Sequence, residues 1–223
     1  MLHKTQGVVF RFTKYGETSI IVNIFTSLFG LQSYIVNGVR SKNSKNRIAL
    51  YQPLTLLDLV VYHRENANIN RIREIKCLYP YQTITTDIRK SAIAIFINEV
   101  LNKTVKEESQ AVALCNFMIH SFITLDTLTA QVENFHIVFL LKLSRMLGFG
   151  AHEVNDILGV HMTDQETEKN LSFFLSSEYT DTIVLSNAQR RSVLDLILKF
   201  YADHMDSMGE LRSVQILYEV FRL

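Results

Sequence analysis

Residues 19–36 read SIIVNIFTSLFGLQSYIV, and this stretch decides the fold of the N-terminal part of the chain. β-Branched and aromatic residues dominate both of its halves, which is typical of strands. Leu28-Phe29-Gly30 lies between the halves, and glycine adopts the positive φ of a tight turn at low cost. In the second half, Leu31, Ser33 and Ile35 alternate onto one face. The stretch therefore predicts two strands joined by a hairpin turn.

Three further strands are predicted around this hairpin. One precedes it at residues 8–12 and is followed by the turn signal Lys14-Tyr15-Gly16-Glu17, and two come later at residues 54–62 and 69–78. Five short strands in about 80 residues predict a small closed barrel, and the five-stranded oligonucleotide-binding barrel (OB-fold) is the natural candidate.

After Pro80 the apolar period becomes helical. Apolar stripes at helical spacing lie within residues 93–101, 111–122, 132–147, 193–201 and 214–221. The sequence therefore predicts an α+β protein, with an N-terminal five-stranded OB-fold barrel at residues 1–80 and a C-terminal all-α helical domain at residues 81–223.

Local signals refine the helical part. Ser186 and Gln189 form a capping box for the fourth helix. Gly148-Phe149-Gly150 is interpreted as a helix end rather than a dinucleotide-binding loop, and His136 as a hydrogen-bonded core or interface residue. Residues 149–187 are less regular and predict short helices and loops. Within them, Asp164, Glu166 and Glu168 are expected to form a solvated acidic loop.

Composition excludes several classes of protein. The chain has 223 residues, of which 48% are hydrophobic and 20% charged, as in globular proteins. Cys77 and Cys115 are too few for a disulfide scaffold or a four-cysteine zinc site, and both are expected to be reduced. Because no signal peptide and no apolar run of membrane-spanning length is visible, a soluble cytoplasmic protein is expected.

Charge is distributed unevenly along the chain. Residues 1–80 contain 11 Lys/Arg and 4 Asp/Glu, a net of +7, whereas residues 81–223 contain 12 and 18, a net of −6. Such an asymmetry is typical of a nucleic-acid-binding part attached to another module. Chance clustering on a solvated face is the alternative explanation.

A basic segment inside the predicted barrel is the strongest local feature. Residues 40–47 read RSKNSKNR and separate two predicted strands, which places them in a surface loop. Its four cations suit DNA phosphates, and nearby aromatic rings could stack on bases. The candidate DNA-binding residues are Arg40, Lys42, Lys45 and Arg47, with Arg11 and Lys14 as weaker choices, Lys4, Arg71, Arg73 and Lys76 as further nearby charges, and Tyr15, Tyr34, Tyr51 and Phe29 as stacking rings. The alternative is a solubilising loop with the aromatic residues in the barrel core.

Signatures of catalysis are missing from the sequence. It contains no Gly-x-Ser-x-Gly elbow, no phosphate-binding P-loop and no His-Glu-x-x-His helix. We therefore expect no enzyme, no catalytic residues, no metal site and no cofactor. Two other interpretations stay open: a nucleic-acid-binding protein without a wider role, perhaps for RNA, and a phosphodiester hydrolase with a dispersed site.

Several motifs, in this order, resemble a known family. They are Gly7-Val8-Val9, Tyr15-Gly16-Glu17-Thr18-Ser19, Phe25-Thr26, Phe29-Gly30, Asn37-Gly38-Val39-Arg40 with Ser44 and Lys45, Leu50-Tyr51-Gln52-Pro53-Leu54, the helix at residues 139–148, Tyr201-Ala202-Asp203-His204 and Gly209-Glu210-Leu211-Arg212-Ser213. Each is weak alone, but together they span nearly the whole chain. The sequence resembles the bacterial recombination mediator family RecO.

The resemblance implies a function and partners. It implies binding to single-stranded and double-stranded DNA, annealing of complementary strands, and action near the nucleoid. It also implies the partners RecR and the acidic, hydrophobic-ended C-terminal tail of single-stranded DNA-binding protein, and help in loading RecA. Possible cations for that tail are Lys142, Arg145, Arg190, Arg191 and Arg212. Many family members carry a four-cysteine zinc site, but residues 149–177 contain no cysteine here, so zinc is not expected.

Overall fold

Two compact units make up the chain. In the computed structural model the described residues are 1–41, 48–64, 67–106 and 110–222. The barrel unit contains residues 1–81 together with 105–123, and the helical unit contains residues 82–104 together with 124–223. Residues 105–123, which include most of one helix, therefore group with the barrel rather than with the helices around them in sequence.

The barrel unit is a closed five-stranded barrel with the strand order β1-β2-β3-β5-β4. β1 closes it by pairing with both β2 and β4, and only β3 and β5 run parallel. This confirms the predicted OB-fold. The strands are β1 (Leu2–Tyr15), β2 (Ser19–Thr26), β3 (Gly30–Val36), β4 (Leu56–Tyr62) and β5 (Asn70–Tyr79).

The barrel interior follows the two-residue period of its strands. In β2, Ile20, Val22 and Ile24 are fully buried, while the residues between them are half-buried and face outward. Gly7 lies where β1 passes closest to β2, because a Cβ there would lie 2.7 Å from Ile24 Cγ2. A register shift in β1 between Val9 and Arg11 makes a β-bulge, which leaves both Val9 and Phe10 buried.

Helices beyond the barrel agree with the predicted stripes. Ser186 accepts from Gln189 N, which confirms the capping box, and Gly148 has a φ of 87° at the end of α3, which confirms the predicted helix end. The helices are α1 (Ile88–Thr104), α2 (Ala111–Thr127), α3 (Phe135–Met146), α4 (Val154–Leu158), α5 (Gln165–Ser176), α6 (Asn187–His204) and α7 (Ser213–Val220).

The prediction for the acidic residues before and within α5 was wrong. They were expected in a solvated loop, but Asp164 is the N-cap of α5 and accepts from Thr167 N at 2.9 Å. Glu166 and Glu168 lie in the first helical turn. Carboxylates are favourable there because they interact with the free N–H groups and the positive end of the helix dipole.

A buried carboxylate organises the start of the helical unit. Asp126 is 2% exposed, and its carboxylate accepts from three successive backbone N–H groups, those of Gln82, Thr83 and Ile84, at 2.8–2.9 Å. The Lys90 ammonium, also buried, donates to the Asp126 carbonyl and to Thr83 Oγ1, both at 2.7 Å. This network fixes the chain just before α1.

Candidate nucleic-acid interface

The outward face of the barrel brings together residues from four strands. Partners in a sheet point to the same side, and the strand register aligns Thr13 with Ile21, Ile21 with Ile35, and Ile35 with Arg71. One step along the sheet, Arg11 lies opposite Asn23, whose Nδ2 donates to Ser33 Oγ at 2.9 Å. These residues form one polar and apolar surface outside the core.

Arg11 and Lys14 are exposed near the end of the β1–β2 hairpin. The bulge before Arg11 shifts the alternation of β1 by one residue, so that Arg11 faces outward after four consecutive buried residues. The two cations are three residues apart, on the order of 10 Å along a strand. Because an odd spacing places two side chains on opposite faces of a strand, Arg11 faces outward, whereas Lys14, the register partner of the buried Ile20, lies on the other face of β1 at the exposed end of the hairpin.

Arg40 is hydrogen-bonded to the turn of the same hairpin. Its backbone N–H donates to Thr18 O at 2.9 Å, and its guanidinium donates to Gly16 O at 3.2 Å. These two bonds hold the start of the predicted basic loop against the β1–β2 turn. Arg11, Lys14 and Arg40 together are called the hairpin patch below.

The remaining loop cations lie outside the described residues. They are Lys42, Lys45 and Arg47, and the structure describes the chain again only from Ile48. A short 3-10 helix, Ile48–Tyr51, begins there, and its Tyr51 is buried in the barrel core. The described residues on both sides of this segment are therefore held to the barrel, Arg40 by its hydrogen bonds and Tyr51 by its burial in the core.

The predicted stacking rings are mostly core residues, which is a correction. Tyr34 is fully buried and Tyr51 is 2% exposed, so neither ring can reach a base. Phe29 is half-buried with its ring stacked on His63, 3.8 Å between centroids. Tyr15, 52% exposed, is the member of this predicted set that stays available for stacking. The aromatic residues of the strands were needed to fill the barrel.

The sequence analysis did not include Arg71 among the candidate DNA-binding residues. It was counted as nearby charge, but the β3–β5 pairing places it beside Ile35 on the same outward face as Thr13. The two-residue alternation of β5 could be predicted from the sequence. The parallel pairing of β5 with β3 could not.

A cavity of about 180 Å³ lies in the helical unit. Leu194 and Leu217 line the cavity with apolar side chains, and the Arg191 guanidinium lies 3.9 Å from the centre of the Tyr218 ring. The lining residues are His136, Asn187, Ala188, Arg190, Arg191, Leu194, Leu217, Tyr218, Phe221 and Arg222.

Two of the five cations considered for an acidic tail reach this cavity. Arg190 and Arg191 line it, whereas Lys142 pairs with Glu178 at 2.7 Å and Arg145 donates to Leu175 O. Arg190 is buried, and its guanidinium already donates to Asn134 Oδ1, Asn187 Oδ1 and Leu185 O. Arg191 and the exposed Arg222 are therefore the cations available to a ligand.

His136 forms part of the same cavity wall and is 1% exposed. Burial, together with the nearby Arg190 charge, lowers the pKa of His136 to about 3. The prediction of a core residue is confirmed. Within the described part of the chain, however, its Nδ1 has no hydrogen-bond partner, so the expected hydrogen bond there was wrong.

The neutral state of His136 predicts a pH-dependent stability. The unfolded chain binds a proton at this residue below about pH 6.5, and the folded protein does not until about pH 3. The free energy of unfolding therefore falls as the pH drops through this window, by about 2 kcal/mol at pH 5 from this group. Urea unfolding near pH 7.5 and pH 5 would measure it, with His136→Phe as the comparison because it keeps a ring against Phe221. Equal losses in both proteins would contradict the prediction.

The fold and its basic surface define the class of protein to which the chain belongs. The chain is an OB-fold protein, with a closed five-stranded barrel that carries exposed cations at its β1–β2 hairpin and with a separate helical unit. OB-fold barrels are used for binding oligonucleotides and oligosaccharides.

Sequence comparison then gives the family. The profile described as "Recombination protein O N terminal" matches residues 1–81, and that described as "Recombination protein O C terminal" matches residues 85–158. The DNA repair protein RecO of Bacteroides fragilis is 32% identical over 241 residues, covering 99% of this chain and all of its own. That of Flavobacterium psychrophilum is 32% identical over 235 residues, covering 98% of both chains. The chain belongs to the RecO family of DNA repair proteins.

No helix among the described residues is long and apolar enough to span a bilayer. Residues 149–177 contain α4 and all of α5 but no cysteine, so they lack the thiolates of the four-cysteine zinc site that the family resemblance implies for many members.

Proposed function

We propose that this protein is a recombination mediator. It binds single-stranded and double-stranded DNA, anneals complementary strands coated by single-stranded DNA-binding protein and, with RecR, helps to load RecA. The observation that carries the proposal is the hairpin patch, where Arg40 is held by two hydrogen bonds to the β1–β2 turn that follows the exposed Lys14, on the barrel of a RecO-family chain. The proposed DNA contacts are Arg40, Lys42, Lys45, Arg47, Arg11 and Lys14.

The proposed mechanism needs no covalent chemistry. Two complementary strands repel each other because both are polyanions, and cations that neutralise phosphates lower this repulsion while bases pair. The barrel unit supplies such cations. The chain from residue 81 onward carries a net charge of −6, which disfavours DNA and favours a role in protein binding.

Annealing tests the proposal directly. Two complementary oligonucleotides, each coated with the cognate single-stranded DNA-binding protein, are mixed with and without this protein, and duplex formation is followed by fluorescence. Acceleration without strand cleavage is the expected result. Salt-sensitive binding to bare strands without acceleration would instead favour an OB-fold nucleic-acid-binding protein that has no mediator activity.

The cavity of the helical unit is the proposed site for the acidic tail. An engineered protein cavity of roughly 150 Å³ holds benzene, so about 180 Å³ is enough for one aromatic side chain. Arg191 and Arg222 at its edge suit carboxylates. A peptide with acidic residues and a C-terminal phenylalanine carries both features.

Removing the two available arginines gives a prediction for this site. We expect Arg191→Ala with Arg222→Ala to weaken binding of such a peptide at least about tenfold, because each charge-assisted hydrogen bond contributes roughly 1.5–3 kcal/mol. Fluorescence anisotropy with a labelled peptide measures this. Lys199→Ala is the matched control, since Lys199 is an exposed cation on the same helix as Arg191. Equal affinities of the arginine variant and the control would reject the site.

A further inference from the structure

The β4–β5 end of the barrel carries a second basic surface. An open cavity of about 670 Å³ lies there, which is within the size range of ligand sites. Tyr62, Arg64 and Arg71 are exposed along it. Among the residues that the structure describes, no carboxylate pairs with Arg64 or Arg71. These two arginines are called the β5 patch below.

The cavity is held in shape by hydrogen bonds of the buried Asn70 side chain and of the N-terminal amine. Asn70 is 3% exposed; its Oδ1 accepts from Arg64 N at 3.2 Å, and its Nδ2 donates to Gln32 Oε1 at 3.3 Å. The Met1 amine donates to His63 O at 3.2 Å. The backbone that carries Arg64 is therefore fixed before any ligand binds, which lowers the entropy cost of binding.

The β5 patch and the hairpin patch lie on opposite sides of an uncharged surface. From Arg71 the register leads across Ile35 on β3 and Ile21 on β2 to Thr13 on β1. Three steps between neighbouring strands amount to roughly 14 Å along the curved wall of the closed five-stranded barrel. The outward residues between the patches, Ile21, Asn23, Ser33 and Ile35, carry no charge.

We propose that the β5 patch holds phosphates of a second DNA strand while the hairpin patch holds those of the first. Because the barrel is closed and three strand steps separate the patches, the two patches face different sides of it. Two DNA strands can therefore be bound at once without their phosphates competing for the same cations. This inference rests on the proposed DNA-binding function and adds to it the place where the second strand binds.

Strand bridging tests the proposal separately from annealing. Two non-complementary oligonucleotides, one with a fluorescent donor and one with an acceptor, are mixed with the protein, and energy transfer reports that both are held together. We expect Arg64→Ala with Arg71→Ala to lower the bridging signal about tenfold. The affinity for one labelled strand at low occupancy should stay within about twofold of wild type. Arg73→Ala is the matched control, because Arg73 is exposed on the same strand but does not line the cavity.

The outcomes separate the alternatives. Unchanged bridging in the double variant overturns the proposal. A parallel loss of single-strand affinity also overturns it, because the two patches would then form one track for one strand. Bridging by wild type without annealing would reject the mediator function while leaving the second-strand site in place. Thermal unfolding of each variant checks that these substitutions of exposed residues leave the fold intact.

Discussion

Replacing Arg40, Lys42, Lys45 and Arg47 together by alanine is expected to weaken binding to single-stranded DNA about a hundredfold at low salt. Each phosphate contact releases condensed counterions, so four lost contacts also reduce the slope of log K against log salt by about 2.8 on single strands. Because phosphates carry no sequence information, the loss should be uniform across sequences. Fluorescence anisotropy over a salt series measures both quantities.

Arg11 and Lys14 provide a graded comparison. Their double alanine variant removes two contacts, so we expect a salt slope reduced by about 1.4 and an affinity loss near tenfold. Lys169→Ala with Lys199→Ala removes two exposed cations from the helical unit and is the charge-matched control. If the loop variant kept the affinity and slope of wild type, the assignment of the loop would be wrong.

Asp126→Ala is expected to lower the free energy of unfolding by about 3–5 kcal/mol. The substitution leaves the backbone N–H groups of Gln82, Thr83 and Ile84 without their acceptor and removes the negative charge near the buried Lys90. Losing one partner of a buried charged network costs about this much because the remaining groups stay desolvated. Urea unfolding followed by circular dichroism measures the change.

Asp126→Asn keeps the prediction measurable if the alanine variant does not fold. Its amide oxygen can still accept from part of the N–H set, so a loss of about half that size is expected. Asp206→Ala is the control, since Asp206 is exposed and such surface substitutions usually change stability by less than about 0.5 kcal/mol. A loss below about 1 kcal/mol for Asp126→Ala would show that the network does not hold the chain before α1.

The sequence by itself determined the barrel, the change to helices after Pro80 and the family. These features are local or nearly so: the two-residue alternation of residues 19–36, the capping box at Ser186 and the spacing of the family motifs all lie within short stretches of chain. Each strand or helix must bury one face, so its apolar residues recur with the period of that element. This period can be recognised within a short stretch of sequence.

Tertiary structure alone decided which of these residues meet. The parallel β3–β5 pairing placed Arg71 beside Ile35, and burial removed Tyr34 and Tyr51 from the set of stacking rings. The cavity with Arg191 combines α6 with α7 and with His136 of α3. Such contacts join residues far apart in sequence, so they depend on register and packing, which no local pattern encodes.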